Sequence, residues 1–113
     1  MFEASLPMGL WVSAHLHRLS AEGRSAYVVR KGPAQGGTLL VKISRMEAGA
    51  RVLTQARDGA GRLGWLPAFS GRVVPESEAD AYIQRAVSRD PDLWVVEVED
   101  AEGRNPFEGQ EIG

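Results

Sequence analysis

Two alternating segments, separated by only four residues, constrain this chain more than any other feature. In residues 38–46, Leu39, Val41 and Ile43 fall on one side and Lys42 and Ser44 on the other; in residues 51–58, Val52, Thr54 and Ala56 oppose Arg51, Gln55 and Arg57. A period of two marks a strand with distinct faces. Pairing the strands around residues 47–50 sets Ile43 opposite Val52, Val41 opposite Thr54 and Leu39 opposite Ala56. A slip of one residue would turn charges toward the core, so this register is expected. The opposite face then carries Lys42, Ser44, Arg51, Gln55 and Arg57, with Leu40 and Leu53 among them. Such a cationic face is either solvated, with aliphatic stems lying over the leucines, or a surface for an anionic ligand.

The rest of the chain fits around this ribbon. Residues 1–9, with Pro7 and Gly9, read as a leading loop. Residues 10–22 place Val12, Leu16 and Leu19 on one helical face, and Gly23 stands where a left-handed C-terminal cap would fall. Residues 26–30 are short and β-rich, and residues 31–37 form a loop broken by Pro33 and the Gly36-Gly37 pair. Asp58-Gly59 signals a hairpin into a strand over 62–68 that ends near Pro67. Residues 75–89 give the clearest helix, with Ala79, Tyr82, Ile83, Ala86 and Val87 on its apolar face and Ser77 and Asp80 spaced as a capping box. Asp90-Pro91 stops it. In residues 93–99, Trp94, Val96 and Val98 alternate with Glu97 and Glu99.

The resulting order α-β-β-β-β-α-β predicts an α+β fold: two layers, a mostly antiparallel sheet of about five strands, and two helices on one face. Residues 1–100 are expected as a single domain and 101–113 as a polar, Gly-rich, mobile tail. At 113 residues the chain has the length of one domain.

Several motifs fail the structural requirement of the chemistry they suggest. Residues 59–64 spell G-x-G-x-x-G, but Trp65-Leu66-Pro67 follows where a dinucleotide site needs a helix N-terminus. Residues 32–38 have P-loop spacing without the lysine that meets the phosphates, and a strand follows instead of a helix. His15 and His17 stand about 200° apart on a helix and cannot share a metal. Glu97 and Glu99 lie roughly 6.5–7 Å apart on one strand face, a separation that fits a glycosidase pair and any solvated strand alike. With no cysteine there is no thiolate chemistry and no disulfide. No catalytic residue, cofactor or metal site is assigned.

Charge is divided along the chain. Residues 1–57 hold eight Lys or Arg against three Glu, and residues 58–113 hold five Arg against twelve Asp or Glu. Either the halves fold onto each other and pair these charges, or the basic half meets an anionic ligand. Trp11 and Trp65 lack apolar partners in the local pattern, so each is a core residue or an anchor at an interface, where Trp and Arg are enriched.

The segments Leu10-Trp11-Val12-Ser13-Ala14, Val41-Lys42, Gln55-Ala56-Arg57-Asp58, Glu78-Ala79-Asp80-Ala81-Tyr82-Ile83 and Asp90-Pro91-Asp92-Leu93-Trp94-Val95-Val96-Glu97 together resemble a small bacterial family, domain of unknown function 1491. The likeness runs from about Leu6 to Asp100. It implies a bacterial single-domain protein and brings no activity, so no catalytic residue is carried over.

The expectation is therefore a cytoplasmic, non-catalytic binding or assembly module, a homo-oligomer or the partner of another protein, with Trp11 and Arg18 at the interface. The alternative is a small ligand-binding protein or enzyme that gathers Lys42, Gln55, Arg57 and Trp65 around an anion. A third reading, single-stranded nucleic acid, is opposed by the acidic pI near 5.7 and the few aromatics on the cationic face. No run of about 20 apolar residues exists to span a membrane.

Overall fold

Valine- and leucine-rich strands gather at the centre of the fold because both of their faces can be buried there. The computed structural model describes residues 7–112. Its elements are α1 (Met8–Ala21), β1 (Ala26–Arg30), β2 (Leu39–Ser44), β3 (Ala50–Arg57), β4 (Leu63–Pro67), α2 (Glu76–Arg89), β5 (Trp94–Glu99) and β6 (Gln110–Glu111). The expected leading loop lies largely outside the described residues, and helix α1 already begins at Met8.

The strands form one mixed sheet in the order β1-β5-β2-β3-β4-β6. β1/β5, β2/β3 and β3/β4 are antiparallel; β2/β5 and β4/β6 are parallel. The fold is α+β, with two helices as expected. The helices, however, lie on opposite faces instead of one. Trp11, Val12 and Leu19 of α1 pack with Leu39, Val41, Ile43, Val96 and Val98 on the first face. Ala79 of α2 packs with Leu40, Val52 and Val95 on the second. β5 enters after α2 and takes an interior slot between β1 and β2, parallel to β2, where a strand is buried on both sides and reads as a near-continuous apolar run.

This second layer overturns the expected register. Ile43 stands opposite Arg51, Lys42 opposite Val52, and Val41 opposite Leu53, one residue away from the pairing expected from alternation. That expectation assumed one wet face. β2 is buried along its whole length, so burial energy no longer distinguishes the two registers. The turn decides: Arg45 donates its N–H to the Gly49 carbonyl at 2.7 Å around a 3-10 turn at Met46–Ala48. The cationic outer face disappears with it.

Helix ends follow their local chemistry. Gly23 takes φ 76°, Arg24 N–H reaches Leu19 O at 2.8 Å and Gly23 N–H reaches Ser20 O at 3.0 Å, closing α1 with a Schellman motif. α2 begins after Pro75 without a side-chain cap; Asp80, expected in a capping box, turns to Lys42 instead.

The expected mobile tail is a strap. After Asp100 the chain runs back across the first face, burying Phe107 to 4% exposure. Its ring stacks on Trp11 at 5.6 Å and tilts against Trp65 at 5.9 Å. Trp65 Nε1 donates to Glu108 O at 2.8 Å, Ile112 N–H donates to Trp65 O, and β6 pairs with β4. Sequence periodicity could not show this, because the aromatic partners are 42 or more positions away. Replacing Phe107 by Ala is expected to lower the unfolding free energy by about 3 kcal/mol in urea titrations. A loss below about 1 kcal/mol would mean that the strap does not close the first core.

Candidate functional site

The structure does not assemble the four residues expected around an anion. Lys42 and Trp65 are core residues, on opposite faces of the sheet. Trp65 is fully buried in the first core. Lys42 is 5% exposed under α2. Only Gln55 and Arg57 share a cavity, with Trp11 beside them.

Lys42 is neutralised from three directions. Its Nζ donates to Glu76 Oε1 and Asp80 Oδ1, each at 2.8 Å, and Glu97 Oε1 lies 3.6 Å away on the neighbouring strand. Ser44 Oγ donates to the second oxygen of Glu76 at 3.2 Å. Burial alone would push the Lys42 ammonium down, but the Asp80 and Glu76 hydrogen bonds and the Glu97 charge outweigh it and hold its pKa above the ordinary lysine value. The hydrogen bond from Lys42, its charge and that from Ser44 hold the Glu76 carboxyl below the usual range. This cation fastens α2 to β2 and is closed to an anionic ligand.

The two residues expected at an interface are also committed within the chain. Trp11 is 6% exposed, with the His15 ring 4.2 Å from it. Arg18 donates to Glu22, to His15 Nδ1 at 3.1 Å and to the Pro106 carbonyl at 2.9 Å, so it ties α1 to the strap. Burial and the Arg18 charge hold His15 below the ordinary histidine value.

The phosphate-loop look-alike has a packing role. Trp94 Nε1 donates to Pro33 O at 2.9 Å, and a Cβ on Gly32 would stand 2.5 Å from the Trp94 ring. Only glycine lets the loop lie this close. The loop thereby becomes the wall between two concavities on the first face.

The first concavity is an apolar groove of about 710 Å³ between α1, β1 and the loop; Leu10, Leu16, Val28 and Trp94 line it, with His17 and Lys31 at its polar margin. It runs into the outer edge of β1, a terminal strand of the sheet, where Tyr27, Val28 and Val29 are exposed. Glu99 N–H donates to Ser25 O at 2.9 Å. In an antiparallel ladder the neighbouring residues then turn their peptide groups the other way, so those of Ala26 and Val28 face outward. The signal in the sequence was Leu10, which lies off the Val12, Leu16 and Leu19 stripe, and the adjacent Val28 and Val29, which put apolar side chains on both faces of a short strand.

The second concavity, about 370 Å³, lies on the other side of the loop. Trp11, Leu63 and Met8 form its apolar wall, and Gln35, Thr38, Gln55 and Arg57 its polar one.

The Lys42 cluster gives a pH dependence with a definite sign. Glu76 has a folded pKa below its unfolded one, so its contribution is present above the ordinary carboxylate range and fades as the pH falls below about 4.3. Glu76→Gln is expected to flatten the acid limb of a stability-against-pH curve, with less than about 1 kcal/mol lost at pH 7 because the carboxylate is half exposed. Lys42→Ala leaves three carboxylates facing one another and is expected to cost about 2–4 kcal/mol at pH 7. An acid limb unchanged in Glu76→Gln would remove Glu76 from the cluster's energetics.

Comparison with known proteins places this geometry in a lineage. Among solved structures, a DUF1491 family protein from Caulobacter crescentus CB15, determined by crystallography, is 41% identical with a TM-score of 0.82, covering 94% of this chain and 99% of its own. The NMR structure of a DUF1491 family protein from the same organism is 40% identical with a TM-score of 0.79, covering 96% and 98%. A solution structure of a protein from A. tumefaciens is 26% identical with a TM-score of 0.69, covering 85% and 86%. No curated protein matches. The family model described as protein of unknown function, DUF1491, matches residues 6–108, and the chain belongs to that family.

Proposed function

We propose that this protein is a binding module of the bacterial cytoplasm that accepts an extended, acid-flanked segment of a partner protein as an added strand on β1. The observation that carries this reading is the coincidence of the outward-facing peptide groups of Ala26 and Val28 with the apolar groove that Val28 lines. Strand addition draws affinity from main-chain hydrogen bonds and specificity from pockets for alternate side chains. β1 offers the first and the Leu10–Leu16 side of the groove offers the second. Among the described residues nothing pairs with this edge.

Charge selects the occupant. Arg24, Arg30 and Lys31 flank β1, and His17 and Lys31 lie at the groove. Two copies paired about Val28 would bring Lys31 of each beside Arg24 of the other, whose charge Asp100 already meets, so that pairing gains no charge complementarity. An apolar strand flanked by Asp or Glu meets the same groups with opposite sign. The pairing of β1 with β5 shifts register between Val28 and Arg30, so the added strand is short. Its affinity is therefore expected on the order of tens of micromolar. The absence, among the described residues, of a helix long and apolar enough to cross a membrane is compatible with the cytoplasmic setting.

A fluorescent peptide of alternating Val and Thr, with Asp-Glu at each end, is expected to bind saturably in an anisotropy titration. Val28→Pro removes an outward N–H from an edge strand, where proline is tolerated. It should weaken binding at least tenfold and leave the circular dichroism unchanged. Lys31→Glu should weaken the acidic peptide and favour its Lys-flanked counterpart. Absence of saturable binding to the wild type, or equal binding by Val28→Pro, overturns the reading. So does a concentration-dependent dimer in sedimentation that Val28→Pro abolishes, which would assign the edge to a second copy.

A further inference from the structure

We infer that the second concavity, between the first turn of α1, the loop at residues 35–38 and β3, is a binding site for a small monocarboxylate with a flat apolar body. Arg57 is the one ionisable side chain among its described lining residues. Its only hydrogen bond to a described residue is a long one, Nη1 to Gly61 O at 3.3 Å, so among the described residues much of the guanidinium fork is uncommitted. Gln35, Thr38 and Gln55 line the same cavity; they add two amides and a hydroxyl able to donate to the second carboxylate oxygen.

The balance of groups selects the ligand. One cation with neutral donors matches a single negative charge. A phosphate dianion would carry charge that this cavity does not meet. The planar fork of arginine suits the planar carboxylate, which it binds through two parallel N–H donors. Trp11, Met8 and Leu63 supply the apolar wall, and Trp11 is held rigid by the strap, with Phe107 stacked at 5.6 Å. Gly36, which lines the mouth, carries no side chain to narrow it, and the space where a Cβ would stand is open to 4 Å. The helix adds no opposing charge: the first turn of α1 contains no acidic residue. About 370 Å³ accommodates a one- or two-ring acid and is too small for a dinucleotide.

The test uses 2-naphthoate and its uncharged match, 2-naphthamide, titrated into the full chain and followed by amide chemical shifts. Naphthoate is expected to shift Gly36, Gly37, Thr38 and the Gln55–Arg57 segment and to bind at least tenfold more tightly than the amide. Arg57→Gln should weaken naphthoate about tenfold and leave naphthamide unchanged, and Arg57→Lys should recover only part of the loss. Arg57 is exposed, so neither variant threatens the fold. Equal binding of acid and amide, an unaffected Arg57→Gln, or shifts confined to the Leu10 and Val28 groove would each overturn the assignment. None of these outcomes depends on whether β1 accepts a strand.

Discussion

The ion cluster around Lys42 is the constraint on which the rest of the architecture depends. A lysine at the centre of a doubly covered sheet is tolerable only when its charge is met inside the fold, because desolvating an unpaired ammonium costs several kcal/mol. Glu76 and Asp80 on the first turns of α2 and Glu97 on β5 meet it. These three ligands come from the two elements that convert a β-ribbon into a closed sandwich of helix, sheet and helix. The ammonium therefore also specifies where α2 and β5 dock, since a shift of one residue in either would separate the charges. Such buried pairs are weak sources of net stability and stronger as determinants of register.

The same cluster explains what could be read from the chain and what could not. The apolar face of α2 at Ala79, Tyr82, Ile83, Ala86 and Val87 was legible, because a helix reports its own buried side through a period of 3.6. The left-handed cap at Gly23 was legible for an equally local reason. The β2/β3 register was not, since alternation in Leu39, Val41 and Ile43 tells which residues share a face but not whether the other face is dry. Lys42 on that other face looked solvated in the absence of its partners, which lie 34 or more residues away. Phe107 was missed because a single aromatic in a Gly- and Pro-containing segment has no periodicity. Of the residues expected to bind an anion, Gln55 and Arg57 meet in one cavity; Lys42 and Trp65 were cationic and aromatic for reasons of packing.

The division of charge between the halves of the chain has a structural resolution. Cations of the first half reach acids of the second: Arg24 to Asp100, Lys42 to Glu76, Asp80 and Glu97, and Arg51 to Glu111. Arg18, besides its ion pair with Glu22, and Arg30 and Arg45 reach carbonyls of second-half loops, at Pro106, Pro91 and Ala101. Asp100 shows how firmly the strap is seated. Burial would raise its pKa, yet the Arg104 side chain and the Glu102 and Arg104 amides hold it below the ordinary aspartate value. The basic half is thus mostly spent on holding the acidic half in place.

Two first-half cations stand outside that pairing among the described residues. Lys31 lies at the apolar groove beside β1, and Arg57 lies in the cavity beside Trp11. Neither is needed to close the sheet, and each stands where apolar walls and free hydrogen-bonding groups converge. A charge kept beside a concavity disfavours cationic occupants and raises the local concentration of anionic ones, whichever contacts supply the affinity. The loop at residues 31–38, held down on Trp94, separates the two. The fold meets its interior cation with three carboxylates and leaves these two at concave surfaces, so an anion entering either concavity meets a charge that, among the described residues, no carboxylate has taken up.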